Sequence, residues 1–318
     1  MLVNLIKKLE RSAKMEIFDL KTMAQADIDS NTIVALGTFD GCHFAHQRVL
    51  SEAFYESKRR GIKSAVYTFY QNPKAGNGVK SIYTLEEKIK AFKRAGIDYV
   101  AIEDFRKIKD MSAREFFEKV LVGSLNSVGA SCGYNYRFGK GAEADATTLT
   151  SFFEQNGRGS VRICEKITVG EKTVSSTHLR ALLENGEVEA LYSFGSSFSI
   201  YERVLHGKRL GRELGFPTIN QKIPEDKIVP KKGVYITECE IGEDVYPSIT
   251  NVGVRPSVND GDDVNMETHI IGYDGILYHS YIRVNFYKFL REEKSFSTLE
   301  ELKAQIAEDT EKAKAYFK

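Results

Sequence analysis

The sequence predicts two domains of different class: an α/β domain built on a parallel sheet, then a small antiparallel β-barrel closed by a C-terminal helix. Three observations carry this. From about residue 31, short apolar strands alternate with amphipathic helices, the pattern of a parallel sheet covered on both faces. After about residue 197 the chain turns β-rich and helix patterning returns only at the end. The length of 318 residues matches two domains at roughly 150 residues each. The boundary is read in the small-residue stretch Phe194-Gly-Ser-Ser-Phe-Ser, giving domains 15–196 and 197–318. Residues 1–14 read as a mixed polar and apolar leader, with Met15 a candidate start of the folded domain.

Each element follows from local chemistry. Thr32–Leu36 reads as a buried strand, and residues 46–60 place Val49, Leu50, Ala53 and Phe54 on one helical face, stopped by Gly61. Ser64–Tyr70 is a second strand. Thr84 and Glu87 form a capping box for a helix with Leu85, Ile89 and Phe92 inward, ended by Gly96. Ile97–Ile102 is a third strand. Ser112 and Glu115 open another capped helix, a strand follows near Val128–Ser131, and Ser176 opens a helix that buries Leu179, Leu182 and Leu183. In the second half, Val234–Glu240 and Tyr246–Val252 pair across Ile241-Gly-Glu-Asp. Asp274-Gly275 reads as a hairpin turn between His269–Tyr273 and Leu277–Phe286. Ser297-x-x-Glu300 opens the last helix, with Leu299, Leu302 and Ile306 on one face.

Composition narrows the function. Lys+Arg 45 against Asp+Glu 44 leaves a net charge of +1, without the basic excess that nucleic acid or an anionic membrane surface requires. No apolar run approaches the ~20 residues of a membrane span, and the N-terminus lacks the layout of a secretory signal. Cys42, Cys132, Cys164 and Cys239 are widely spaced, which suits a reducing, cytoplasmic compartment and neither a disulfide framework nor a zinc site. Small molecules are the expected partners, with the chain a monomer or weak homo-oligomer.

Two constellations carry chemistry. Directly after the first strand comes Gly37-Thr38-Phe39-Asp40-Gly41-Cys42-His43-Phe44-Ala45-His46, and a helix begins at its end. Small residues let the backbone approach a nucleotide, and free amides at a helix N-terminus attract phosphate. Two imidazoles three apart can donate to charge developing on a triphosphate. The same run also reads as a tight turn with a capping Asp40 and two structural histidines. A second helix N-terminus, Val174-Ser175-Ser176-Thr177-His178-Leu179-Arg180, offers hydroxyls, amides and a guanidinium to phosphate oxygens; alone it equally reads as an ordinary Ser/Thr cap.

In the β-rich half, His206-Gly207-Lys208-Arg209-Leu210-Gly211-Arg212-Glu213-Leu214-Gly215-Phe216-Pro217-Thr218-Ile219-Asn220 spaces three glycines among basic residues. Such a loop can wrap phosphates with amides. Thr218 and Asn220, two apart after a proline, can face one way and offer hard oxygen ligands to Mg²⁺. A Gly-rich barrel loop with a solvated charge cluster is the competing reading.

The Gly-x-Phe-Asp-Gly-x-His-x-x-His run, the segment Gly133-Tyr-Asn-Tyr-Arg-Phe-Gly-Lys140 and the Ser-Ser-Thr-x-x-Arg run resemble the adenylyltransferase module of prokaryotic bifunctional riboflavin kinase/FAD synthetase. Gly-Phe-Pro-Thr-x-Asn, Glu267-Thr268-His269, Asn251-Val-Gly-Val-Arg-Pro and Phe289-Leu-Arg-Glu-Glu-Lys-Ser-Phe resemble the kinase module of the same family. The resemblance covers residues 15–318, with motifs in order. It implies a Rossmann-like nucleotidyltransferase domain that transfers AMP from ATP to FMN, releasing pyrophosphate, and a barrel that phosphorylates riboflavin to FMN, both with Mg²⁺. By it, His43, His46 and Arg180 contact the ATP phosphates as catalytic groups. Gly37, Thr38, Phe39, Ser175, Ser176 and Thr177 complete that nucleotide site, and Asn135 lies on the flavin side. In the kinase, Gly207, Lys208, Gly211, Gly215, Pro217, Thr218 and Asn220 bind Mg-ATP, Thr218 and Asn220 hold the metal, and Glu267 is the base.

Three places depart from the family pattern. Ala45 stands where the family has glycine, Asn72 in Thr68-Phe-Tyr-Gln-Asn-Pro73 stands where it has histidine, and Asp274-Gly-Ile-Leu-Tyr-His differs at Ile276 and His279. A narrower alternative is therefore a riboflavin kinase with a weak or inactive adenylyltransferase domain. An alternative of another class is a non-enzymatic flavin or nucleotide sensor.

Overall fold

A computed structural model describes residues 15–23, 25–74, 78–207, 215–254 and 264–318. The leader 1–14, Lys208, Gly211 and their basic neighbours, and the Arg255-Pro256 end of the Asn251 motif lie outside the described residues. The chain forms two compact units, Met1–Ser176 and Thr177–Lys318, a division earlier in the chain than the boundary read from the sequence.

The first unit holds a six-stranded, wholly parallel sheet. Its strands are β1 (Glu16–Asp19), β2 (Thr32–Leu36), β3 (Lys63–Phe69), β4 (Tyr99–Glu103), β5 (Ser127–Gly133) and, after the short pair β6 (Arg137–Phe138) and β7 (Ala144–Asp145), β8 (Val161–Cys164). The spatial order is β1-β4-β3-β2-β5-β8. Every residue of β2 is buried, as a central strand covered on both faces requires. Helices α1 (Phe44–Arg60), α2 (Leu85–Arg94) and α3 (Ala146–Gln155) connect the strands. Gly61 ends α1 in the left-handed region at φ 67, and the Thr84–Glu87 capping box is complete. Strand β1 escaped the sequence reading because four residues at a sheet edge carry too little pattern. The Ser112–Glu115 box also forms, but the chain then winds as π-helical turns over Phe116–Ser124.

The order matters for function. Chain direction across the sheet reverses between β2 and β5, and ligands of open α/β sheets bind beyond the carboxyl ends of the strands at such a point. The motif starting at Gly37 leaves the end of β2, and Asn135 follows the end of β5.

After the small hairpin β9 (Thr168–Val169) and β10 (Lys172–Thr173), α4 (Ser176–Asn185) begins. The second unit then builds an antiparallel sheet in the order β11 (Phe198–Arg203), β16 (Tyr281–Arg291), β13 (Gly233–Ile241), β14 (Asp244–Val254), β15 (Val264–Ile270), β12 (Thr218–Lys222). Its two edges meet: Leu205 N–H donates to Asn220 O at 2.8 Å, and Gln221 Nε2 donates to Glu202 O and Ile282 O. The sheet thus closes into a barrel. Inside, Thr237 hydrogen-bonds Ser248 (2.7 Å) and Thr250 (2.8 Å), and Thr250 bonds Thr268 (2.9 Å). Each such buried hydroxyl would cost about 1–3 kcal/mol unpaired. Helix α5 (Leu299–Tyr316) is pinned to the barrel where Arg291 Nε and Nη2 reach Asp309 Oδ2 at 2.9 and 2.8 Å.

Two expectations are corrected here. Asp274-Gly275 does not close a hairpin, because β15 pairs with β14 and β12 while β16 pairs with β13 and β11; both edges of each strand are already taken. The hairpin across Ile241–Asp244 does form. The last helix is capped by Thr298, whose Oγ1 accepts from Glu301 N, one residue later than Ser297-x-x-Glu300 suggests.

Candidate functional site

The turn after β2 is strained and heavily supported. Phe39, Gly41 and Cys42 all sit at positive φ (52, 79 and 38), and each non-glycine there costs about 1–2 kcal/mol. Such geometry persists only where surroundings over-determine it. Asp40 Oδ1 accepts from Ile82 N and Tyr83 N at 2.8 and 2.9 Å, and Gln47 Nε2 donates to Cys42 O at 2.9 Å. The Phe39 ring is fully buried, edge-on to His46 and Phe92. A Cβ on Gly37 would press against that ring at 3.2 Å. Phe39 therefore supports the turn from within the core, and any contact it makes with a nucleotide is through its backbone.

Asp40 is not the helix cap. His43 is: its Nδ1 accepts from His46 N at 3.4 Å. An accepting Nδ1 leaves the single proton of a neutral ring on Nε2, where it can be donated. Burial holds the His43 imidazole down at about 4. Burial, with the nearby His43 and Lys88, holds His46 well below its ordinary value. The rings stack with centroids 3.8 Å apart, and two imidazolium ions could not share that contact. At neutral pH the pair is uncharged and offers hydrogen bonds. Helix α1 has no acidic residue in its first turn, so its N-terminal field is free to attract an anion. Helix α2, with Glu86 and Glu87 there, has spent that field on its own side chains.

The start of the second phosphate motif meets the first at Ser176. Ser176 Oγ donates to Asp40 O at 2.8 Å, across 136 positions of chain, and α4 also starts without an acidic residue in its first turn. Ser175 precedes that helix, while Thr177 and Arg180 lie in its first turns, where Leu179 is buried. Asn135 is exposed beyond β5, its Oδ1 close to Gly133. Of the departures from the family, Asn72 contributes Nδ2 to Asp40 Oδ2 at 3.4 Å, and Ala45 is simply a residue of α1, where alanine is the best helix former.

In the barrel the chemistry comes from register. Asn220 stands opposite Glu267, and Glu267 opposite Asn251; one step along, Thr218 stands opposite His269 and His269 opposite Ile249. Directly opposed side chains lie about 4.5–5.5 Å apart at Cβ. Thr218, Glu267, His269 and Asn251 line a cavity of about 360 Å³, with Leu302 and Ile306 of α5 on its wall, a size suited to a small-molecule ligand. His269 Nδ1 donates to Pro217 O at 2.9 Å, fixing the bend before Thr218, and burial lowers its pKa. Asn220 Oδ1 is buried with no hydrogen-bond partner. Gly207 lies against the Asn220 amide so closely that a Cβ would overlap it. Gly215 takes φ 85 at the other end of the loop.

Sequence reasoning named Asn251 and Arg291 only inside family motifs, with no role, and missed Asp309 and Lys88. Asn251 donates to Glu293 Oε1 at 3.1 Å beside the cavity, and Arg291 with Asp309 sets the helix wall. Lys88, 4% exposed, reaches the ends of β2 and β3. The signal for Lys88 was a charge on the apolar stripe Leu85, Ile89, Phe92; the others depend on strand register.

A strained strand-to-helix turn at a topological switch point and a polar-lined barrel cavity are the two candidate sites, one in each fold class. Comparison with known proteins makes the class particular. The FAD synthetase family model matches residues 25–178 and the riboflavin kinase family model residues 194–317. The bifunctional riboflavin kinase/FMN adenylyltransferase of Bacillus subtilis (strain 168) is 30% identical over 297 residues, covering 91% of this chain and 93% of that protein. That of Escherichia coli (strain K12) is 32% identical over 295 residues, covering 90% and 92%. A crystal structure from Streptococcus pneumoniae, described as a macrolide-efflux protein, has a TM-score of 0.85 at 25% identity, covering 94% and 98%. The chain belongs to the bifunctional riboflavin kinase/FMN adenylyltransferase family. No helix among the described residues is long and apolar enough to cross a membrane.

Proposed function

We propose that the chain makes FAD from riboflavin in two ATP-dependent steps, one at each site. The observation that carries this reading is the barrel register: Glu267 directly opposite Asn220, whose amide oxygen is buried and unpartnered, on the wall of a ligand-sized cavity. Thr218 and Asn220 would hold Mg²⁺, which would supply charge neutralisation to the ATP phosphates. Gly207, Gly215 and Pro217 bind those phosphates, as do Lys208 and Gly211, which lie outside the described residues. Glu267 takes the proton of the riboflavin 5′-hydroxyl as its oxygen attacks the γ-phosphorus; the bond to the β-phosphate oxygen breaks and ADP leaves, giving FMN.

In the parallel-sheet unit, an FMN phosphate oxygen attacks the α-phosphorus of ATP and pyrophosphate departs, giving FAD. His43 and His46 donate as neutral imidazoles to the phosphate oxygens, and Arg180 adds a charged donor. The backbone at Gly37, Thr38 and Phe39 and the Ser175, Ser176 and Thr177 start of α4 complete the nucleotide site, with Asn135 toward the flavin. Neither step needs a covalent enzyme intermediate.

The working domains are 15–196 and 197–318, with α4 as part of the first; the family matches end at 178 and resume at 194. The balanced charge and four buried, reduced cysteines support a cytoplasmic enzyme of small molecules, monomeric or weakly self-associating, with no nucleic-acid or membrane partner. Riboflavin with excess Mg-ATP, followed by chromatography, tests the whole reading: FMN appears first, then FAD. FMN alone, with no pyrophosphate from added FMN and ATP, favours the kinase-only alternative, and tight flavin binding without turnover favours a sensor.

A further inference from the structure

Lys88 is a buried basic residue that reaches two strand ends beside the histidine turn. It lies on the inward face of α2 at 4% exposure, and its Nζ donates to Phe69 O at 2.8 Å and Thr38 O at 3.4 Å. Those carbonyls belong to the last residue of β3 and to the turn that leaves β2, so the ammonium ties together the carboxyl ends of two neighbouring strands. Thr68 Oγ1 adds a third link, to Thr38 O at 3.3 Å. One turn further along α2, Phe92 packs on Phe39, and Phe39 packs on His46. The helix that delivers the charge thus also props the histidine turn.

Taking a full charge out of water is expensive. A cation kept at this position has an electrostatic use: it sits at the carboxyl end of β2, the strand that borders the β2–β5 switch point where ligands of this sheet class bind, in surroundings where its field is little screened. The field reaches the histidine turn, since Lys88 is one of the charges that disfavour protonation of His46. We infer that Lys88 is a positioning residue for adenylyl transfer, holding the ends of β2 and β3 in place and supplying the positive field that receives the ATP phosphates at the His43–His46 turn. The inference rests on the adenylyltransferase reading above.

The test uses the full chain, with pyrophosphate release from FMN and ATP as readout and riboflavin phosphorylation by the same preparation as control. Lys88→Gln keeps hydrogen-bond donors and removes the charge, Lys88→Met removes both, and Lys88→Arg restores the charge. Both neutral variants are expected to lose roughly tenfold to a hundredfold in kcat for pyrophosphate release and to raise KM for ATP. Kinase activity stays within about twofold, and arginine recovers most of the lost turnover. Wild-type kcat in Lys88→Gln overturns the electrostatic role. Parallel loss of both activities in the neutral variants reduces Lys88 to a folding residue and also overturns it. A wild-type chain that forms FMN but never pyrophosphate from added FMN fails at the earlier step, overturning the adenylyltransferase reading and Lys88's role with it.

Discussion

The candidate sites of the parallel sheet and of the barrel, both proposed to take ATP, are built by different means. In the first, ten consecutive residues from Gly37 to His46 form the turn, and its chemistry lies in backbone strain, a helix start without acidic residues and two neutral, stacked imidazoles. In the second, the groups come from β12, β14 and β15 and meet only because the strands are in register. A turn of the first kind is held by the packing beneath it: Phe92 packs on Phe39, Ile82 and Tyr83 donate to Asp40, and Lys88 reaches Thr38 O. A site of the second kind is held by the hydrogen-bond ladder itself, so it tolerates change until the register or a close backbone contact is disturbed.

The sharpest way to break this comparison is to silence one site and watch the other. Glu267→Gln is expected to lower FMN formation by about 10²–10⁴, the usual contribution of a general base, while FAD formation from added FMN is unchanged. Equal loss of both products would mean the sites are not divided as described. His46→Ala is the reciprocal case: a loss of about 10²–10³ in pyrophosphate release, the scale of one preorganised donor, with riboflavin phosphorylation intact. A smaller effect tests the close contact. Gly207→Ala pushes a methyl into the Asn220 amide and is expected to raise the KM for Mg-ATP in the kinase reaction roughly tenfold, a shift of about 1.4 kcal/mol, without touching adenylyl transfer.

The smallest expected effect is on pH dependence. Burial depresses the folded pKa of His43 to about 4 from 6.5, so the unfolded chain binds the extra proton across that window. The stability this neutral ring contributes is whole above about pH 6.5 and is lost as pH falls toward about 4. Burial moves His46 in the same direction. The thermal midpoint of the wild-type chain is therefore expected to fall between pH 6.5 and 4 more steeply than that of His43→Gln, measured by scanning calorimetry; identical slopes would mean His43 is not buried neutral.

Sequence reading reached the local features of both sites and stopped at the non-local ones. The capping box at Thr84, the glycine stop at Gly61 and the hairpin across Ile241–Asp244 all depend on residues a few positions apart, and so does the histidine turn. The Asp274-Gly275 signal failed for the complementary reason: a turn dipeptide describes four residues, while strand partners are chosen by the whole barrel. Asp40 misled in the same way, since its partners Ile82 and Tyr83 lie 42 and 43 residues away.

The sequence alone determined the two fold classes, the order of the motifs and the residue types available to each site, because apolar periodicity, glycine placement and capping act over a single turn of chain. Tertiary structure alone decided which groups work together. It set Asn220 against Glu267, tied Ser176 to Asp40, lined the barrel interior with paired hydroxyls and drew the Lys88 ammonium to the ends of two strands. The physical reason is that desolvation and cross-strand register depend on what surrounds a residue in space, and those surroundings exist only once the sheets have closed.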